Sequence, residues 1–119
     1  MWDTFIGKRI KGGGYALKGF FLLLRSEPSI QVQATIGLIM TGLGFYFNIS
    51  AAEWMFQIFA IGMILAVEGL NTAVEKMADF IHPDHHPKIG FIKDISAGAV
   101  FFAALTAVII GCIIYIPKL

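Results

Sequence analysis

The segment WMFQIFAIGMILAVEGLNTAVEKMAD, residues 54–79, decides how the chain is read. Its first part, Trp54 to Val67, carries a single polar side chain, Gln57. Glu68, Asn71, Thr72, Glu75 and Asp79 then follow, with no proline or glycine cluster before His82-Pro83. A membrane-spanning helix needs about 20 mostly apolar residues. The apolar part alone is too short, so the segment spans only if the helix runs on through Glu68. We therefore expect one helix over residues 51–81, with Ser50 or Asn48 near its start as a cap. At 1.5 Å per residue such a helix is about 45 Å long, against a hydrocarbon core of about 30 Å. Its last turns must reach headgroups or water.

Composition agrees. The chain has 119 residues, 57% hydrophobic and 14% charged, with a mean hydropathy of +0.76. A soluble domain of this length needs more polar surface, so the class is a membrane protein, read as one domain over residues 1–119. A net charge of +1 argues against a general nucleic-acid binder. The lone Cys112 excludes an internal disulfide framework and reads as a small hydrophobe. The first 20 residues lack an apolar core followed by a small-residue cleavage site, so the N-terminal segment is expected to stay in the mature protein.

Two more apolar stretches complete the plan. One runs from Ile30 to Phe47, with Gln31 and Gln33 at its start; the other, Ile95 to Ile116, has no charge. The expected spans are thus about 30–47, 51–81 and 94–116, after an arm over residues 1–26. In the arm, Trp2, Phe5, Ile6, Ile10, Leu17, Phe20 and Phe21 alternate with Lys8, Arg9, Lys11 and Lys18. That mixture suits an amphipathic helix lying in the membrane surface. Gly12-Gly13-Gly14 predicts a bend within it, and Arg25-Ser-Glu-Pro28 a break before the first span. Lys and Arg crowd the arm and the connection between the second and third spans, while the Asn48–Glu53 turn has none. The arm and that connection are therefore expected on the cytoplasmic side. Three short spans bury little by themselves, and a homo-oligomer is expected.

On a helical wheel Glu68, Asn71, Glu75 and Asp79 share one face. Acids at a membrane boundary are costly unless solvated, paired or metal-bound. For Asp79 a solvated helix end suffices; it explains Glu68 and Glu75 poorly. Glu27 opens the first span and Lys93-Asp94 the third, where Asp94 reads equally as a cap and Lys93 as a positive anchor. Together these residues suit hard divalent cations and phosphate oxygens, with a carboxylate available as general base for a hydroxyl. The arm adds cationic side chains and Tyr15, fit to hold a polyphosphate and stack a base. No P-loop is present: in GGGYALKGF, Lys18 precedes Gly19. The HPDHHP connection, residues 82–87, reads as a turn and not as a zinc site. A small ion-conducting or structural membrane subunit is the alternative from another class.

The stretches AVEGLNTAVEKMADFI, KDISAGAV and GYALKGF, with Glu27-Pro28 and His86-Pro87, resemble the small prokaryotic diacylglycerol kinase family, which includes undecaprenol kinases. The resemblance runs in order over nearly the whole chain. It implies an ATP- and Mg²⁺-dependent kinase of a lipid alcohol, diacylglycerol or undecaprenol. It also implies a homotrimeric bundle in the bacterial inner membrane, with an amphipathic surface helix, three transmembrane helices and the active site at the cytoplasmic face. On matching positions it implies Glu68 as general base, Glu27 and Glu75 as magnesium ligands, and Asn71 near the phosphates. Lys93 and Asp94 would serve the transferred phosphate, and Lys8, Lys11 and Tyr15 the nucleotide. Gln31 stands where many relatives have a basic residue and Ala97 where some diacylglycerol-specific members have serine. NISAAEW and HPDHHPKI look more like the undecaprenol-kinase branch.

Overall fold

A computed structural model describes residues 2–119, and the side chains from Thr4 onward. Four helices follow in order: α1 Trp2–Ser26, α2 Pro28–Tyr46, α3 Ala51–Ile81 and α4 Pro87–Tyr115, with a short 3-10 turn at Ile116–Lys118. The long helix expected over 51–81 is present. Its start is fixed by Ser50, whose Oγ accepts from the Glu53 N–H at 3.1 Å while the Glu53 carboxylate accepts from the Ser50 N–H at 2.9 Å. Two otherwise orphaned donors are satisfied reciprocally. Asn48, the other cap candidate, instead takes a left-handed φ of 52° in the tight turn from α2 to α3.

Two expectations need correction. Helix α1 is unbroken through Gly12-Gly13-Gly14. Each interior glycine costs about 1 kcal/mol relative to alanine. The helix on both sides still satisfies every backbone group along its length, which a bend in an apolar interface would not. Helix α4 begins at Pro87, well before Lys93-Asp94, so Asp94 sits inside a helix and caps nothing. The cap is His86, extended at φ −142°, whose Nδ1 accepts from the Lys88 N–H at 3.1 Å. Pro87 at the first position is preset for a helix start. The break at residues 26–28 is as expected. There the Gln31 side chain donates to the Leu24 and Arg25 carbonyls at 3.1 and 3.0 Å, satisfying acceptors that the end of α1 leaves open.

Helices α2, α3 and α4 pack together, and α3 reaches α2 most closely at two glycines. A Cβ on Gly37 would stand 3.0 Å from Ile61, and one on Gly44 2.6 Å from the Trp54 ring. Helix α1 touches α3 near its own C-terminal end, where a Cβ on Gly69 would stand 3.0 Å from Leu23. The molecule measures 49 × 47 × 22 Å. One helix of α3's length accounts for one long dimension, so α1 leaves the bundle and supplies the second.

Helices α3 and α4 are each long and apolar enough to cross a membrane, and only 22% and 17% of their most apolar windows are buried. Core helices of a soluble protein would be mostly covered. Phe80, Phe102, Leu38 and Ile113 are all exposed. This is an all-α protein whose apolar surface fits a membrane location. Helix α2, with 19 residues that include Gln31 and Gln33, does not reach the same measure.

Candidate functional site

The site is built on the last third of α3. Glu68 and Thr72 are one turn apart and both buried, each 8% exposed. Asn71 and Glu75 lie beside that stripe, again one turn apart, and the Asn71 amide donates to the Glu75 carboxylate at 3.3 Å. Of the four residues expected on one face, these two are in contact. Glu68 forms no hydrogen bond or ion pair with any described residue. The residue is mostly covered but its carboxylate oxygens keep some access to solvent, so an unpartnered carboxylate here stays open to a ligand or a proton. Asn71 Oδ1 is the one buried side-chain polar atom without a partner among the described residues. With its nitrogen turned to Glu75, that oxygen is a free acceptor one turn from Glu68.

The other expected residues are distributed unevenly. Glu27, at the junction of α1 and α2, meets α3 at Lys76, the residue after Glu75, with Nζ to Oε1 at 3.3 Å. Both line a cavity of about 560 Å³ that Thr72 also lines, between the end of α1 and α3. Lys93 pairs with Asp79, one turn beyond Glu75. Asp94 is exposed beside it. Lys8, Lys11 and Tyr15 fall on α1, exposed, and make no hydrogen bond or ion pair to α3. Tyr15 is 73% exposed. Among the described residues no three His, Cys, Asp or Glu side chains gather as a ready-made metal cage. The HPDHHP connection is a turn, where His82 Nδ1 lies 2.7 Å from the Asp84 carbonyl oxygen.

Sequence reasoning missed two sets of partners. Thr72 sits i+4 from Glu68, and that spacing could have placed it on the stripe. Lys76 was read only as a charge that orients the chain, and no local pattern links it to Glu27. A cavity of about 730 Å³ among α2, α3 and α4 lies elsewhere and is almost wholly apolar. Two of the polar groups that line it, Gln57 and Tyr115, are bonded to each other.

Magnesium is the metal that the resemblance implies. The observation that tests the fit is the orphaned Asn71 oxygen beside the Glu75 carboxylate, with Glu27 reaching the same helix at Lys76. Amide carbonyl and carboxylate oxygens are the hard ligands Mg²⁺ takes, typically one or two carboxylates with substrate phosphates completing the shell. The residues fit.

The fold and the site define an all-α protein with apolar helices fit for a membrane, bearing an unpartnered carboxylate and an amide–carboxylate pair where one of them turns polar. The family model for prokaryotic diacylglycerol kinase matches residues 14–115. The chain is 37% identical over 105 residues to the undecaprenol kinase of Bacillus subtilis, covering 88% of this chain and 85% of that one. It is 29% identical over 105 residues to the diacylglycerol kinase of Escherichia coli, covering 88% and 86%. With the diacylglycerol kinase of Pseudomonas aeruginosa it shares 27% identity over 101 residues, covering 85% and 82%. The chain belongs to the prokaryotic diacylglycerol kinase family and is a lipid kinase.

Proposed function

We propose that the protein transfers the γ-phosphate of ATP, with Mg²⁺, to the hydroxyl of a lipid alcohol, either diacylglycerol or undecaprenol. The observation that carries this reading is Glu68, buried and without a partner at the point where an apolar helix turns polar. A lipid hydroxyl arrives within the bilayer and ATP from water, and this is the depth at which the two meet.

In the proposed step Glu68 takes the proton of the hydroxyl as its oxygen attacks the γ-phosphorus. The new O–P bond forms as the bond to the bridging β–γ oxygen breaks, and ADP leaves. Phosphoryl transfer asks for positioning and charge neutralisation more than for covalent help. Mg²⁺ held by Glu27 and Glu75 would supply that neutralisation. Asn71 orients Glu75 and offers its free oxygen toward the same place. Lys93, held near by Asp79, would turn to the transferred phosphate, with Asp94 shaping that end of the site. Lys8, Lys11 and Tyr15 would take the nucleotide from the water side.

The accompanying architecture is one domain with α1 on the membrane surface and α2, α3 and α4 as three spans, assembled as a homotrimer. The sites would face the cytoplasm of the bacterial inner membrane, since Lys and Arg crowd that end. A trimer also supplies cover for the apolar faces that one chain leaves bare. The test is incubation of purified protein with ATP, Mg²⁺ and each lipid separately, with the phosphorylated product resolved by chromatography. Transfer to at least one lipid is expected. No transfer to either, by protein that is folded and oligomeric, would overturn the reading.

A further inference from the structure

We propose that Lys76 is a placeholder cation for Glu27. In the nucleotide-free protein its ammonium neutralises the carboxylate meant for the divalent metal, and it thereby sets how tightly that metal is held. The inference rests on the reading of Glu27 as a metal ligand.

Glu27 occupies the N-cap position of α2, yet its side chain makes no capping bond. Its partner is Lys76, at 3.3 Å. The two ends of the pair differ: the Glu27 side chain is 19% exposed and that of Lys76 is 70% exposed. The carboxylate is thus held in place while the ammonium reaches in from solvent along the wall of the 560 Å³ cavity. A pair with one end so exposed is cheap to break, and salt screens it. Two cations beside one carboxylate repel, so a metal at Glu27 requires Lys76 to swing away. Until then Lys76 keeps the half-buried carboxylate from standing alone, the condition that is costly in such a place.

The experiment uses the full chain in detergent or lipid nanodiscs, without nucleotide, titrated with Mn²⁺ and followed by electron paramagnetic resonance. Lys76→Met is expected to tighten Mn²⁺ binding about three- to tenfold, the effect of removing one partly solvated unit charge. Lys76→Arg should keep the wild-type affinity. In steady-state kinetics the Met variant should lower the apparent KM for Mg²⁺ while kcat stays within about twofold. A purely structural role would weaken binding. Unchanged or weaker Mn²⁺ affinity in Lys76→Met, with Glu27→Gln still lowering affinity, would overturn the placeholder and spare the metal reading. If Glu27→Gln leaves Mn²⁺ affinity untouched, or neither wild type nor Lys76→Met binds Mn²⁺, both ideas fail.

Discussion

The two ends of the helical bundle are built on opposite terms. At the end holding the α2–α3 turn, polar groups are closed on one another. Tyr115 donates its hydroxyl to Gln57 at 2.6 Å, and Gln57 donates to the Met40 carbonyl at 3.0 Å, so one chain of bonds ties α4, α3 and α2. Lys118 reaches Glu53 at 3.1 Å, and Glu53 also serves the Ser50 cap. At the other end Glu68 has no partner among the described residues, Asn71 Oδ1 has none either, and the ion pairs of Lys76 and Lys93 each have one well-exposed end. Satisfied networks rigidify; unsatisfied ones wait for a ligand. On the proposed function, one end serves as the anchor and the other as the workplace.

Variants at each end can break that contrast. The largest effect is expected from Glu68→Gln, which should lower phosphoryl transfer about 10²- to 10⁴-fold as a proton acceptor is lost. Thermal stability in the same detergent should hold or rise, since a buried charge is removed. A stable, fully active Glu68→Gln would sink the assignment of this face. Next comes Glu75→Gln, expected to cost about 10²-fold and to raise the Mg²⁺ concentration needed for half-maximal rate, as loss of a proposed ligand requires. Unaltered Mg²⁺ dependence would move the metal away from Glu75.

At the anchored end the readout changes from rate to stability. Gly44→Ala places a Cβ 2.6 Å from the Trp54 ring. It should destabilise by about 1–3 kcal/mol through overpacking, read by thermal or denaturant unfolding. Gln57→Leu removes two hydrogen bonds, to the Tyr115 hydroxyl and to the Met40 carbonyl, while Tyr115 keeps that carbonyl at 3.3 Å; it should cost about 1–3 kcal/mol with turnover per folded molecule little changed. A Gln57→Leu that is stable but slow would show that the ends are coupled. The smallest shift is expected from Ser50→Ala, about 0.5–2 kcal/mol, as one cap bond is lost.

How far the sequence could be read follows the same division. Helix α3, its Ser50 cap and the stripe of Glu68, Asn71 and Glu75 rest on spacing within one element, and spacing is visible in a string of letters. The start of α4 was misjudged because the prolines at 83 and 87 read as a turn, and Pro87 is equally a good first residue of a helix. Glu27–Lys76, Lys93–Asp79 and Gln57–Tyr115 were not legible, because each depends on the axial offset of two helices. No periodicity encodes that offset. Helix α1 carried its three glycines without breaking because local propensity is a weak term beside the need to satisfy a whole helix of backbone groups.

The thinness of the molecule, 22 Å in its least dimension, has a consequence of its own. A slab that thin has scarcely any inside: the buried apolar residues among those described are Ile30, Ile49, Ala60, Ala78, Ala103, Ile114 and Tyr115. What serves a soluble enzyme as its core has here to be supplied from outside the chain. The surroundings thus become a structural component. A bilayer that is too thick or too thin charges a fraction of a kcal/mol for each Å of mismatch, and a chain with so little interior has few contacts of its own with which to resist.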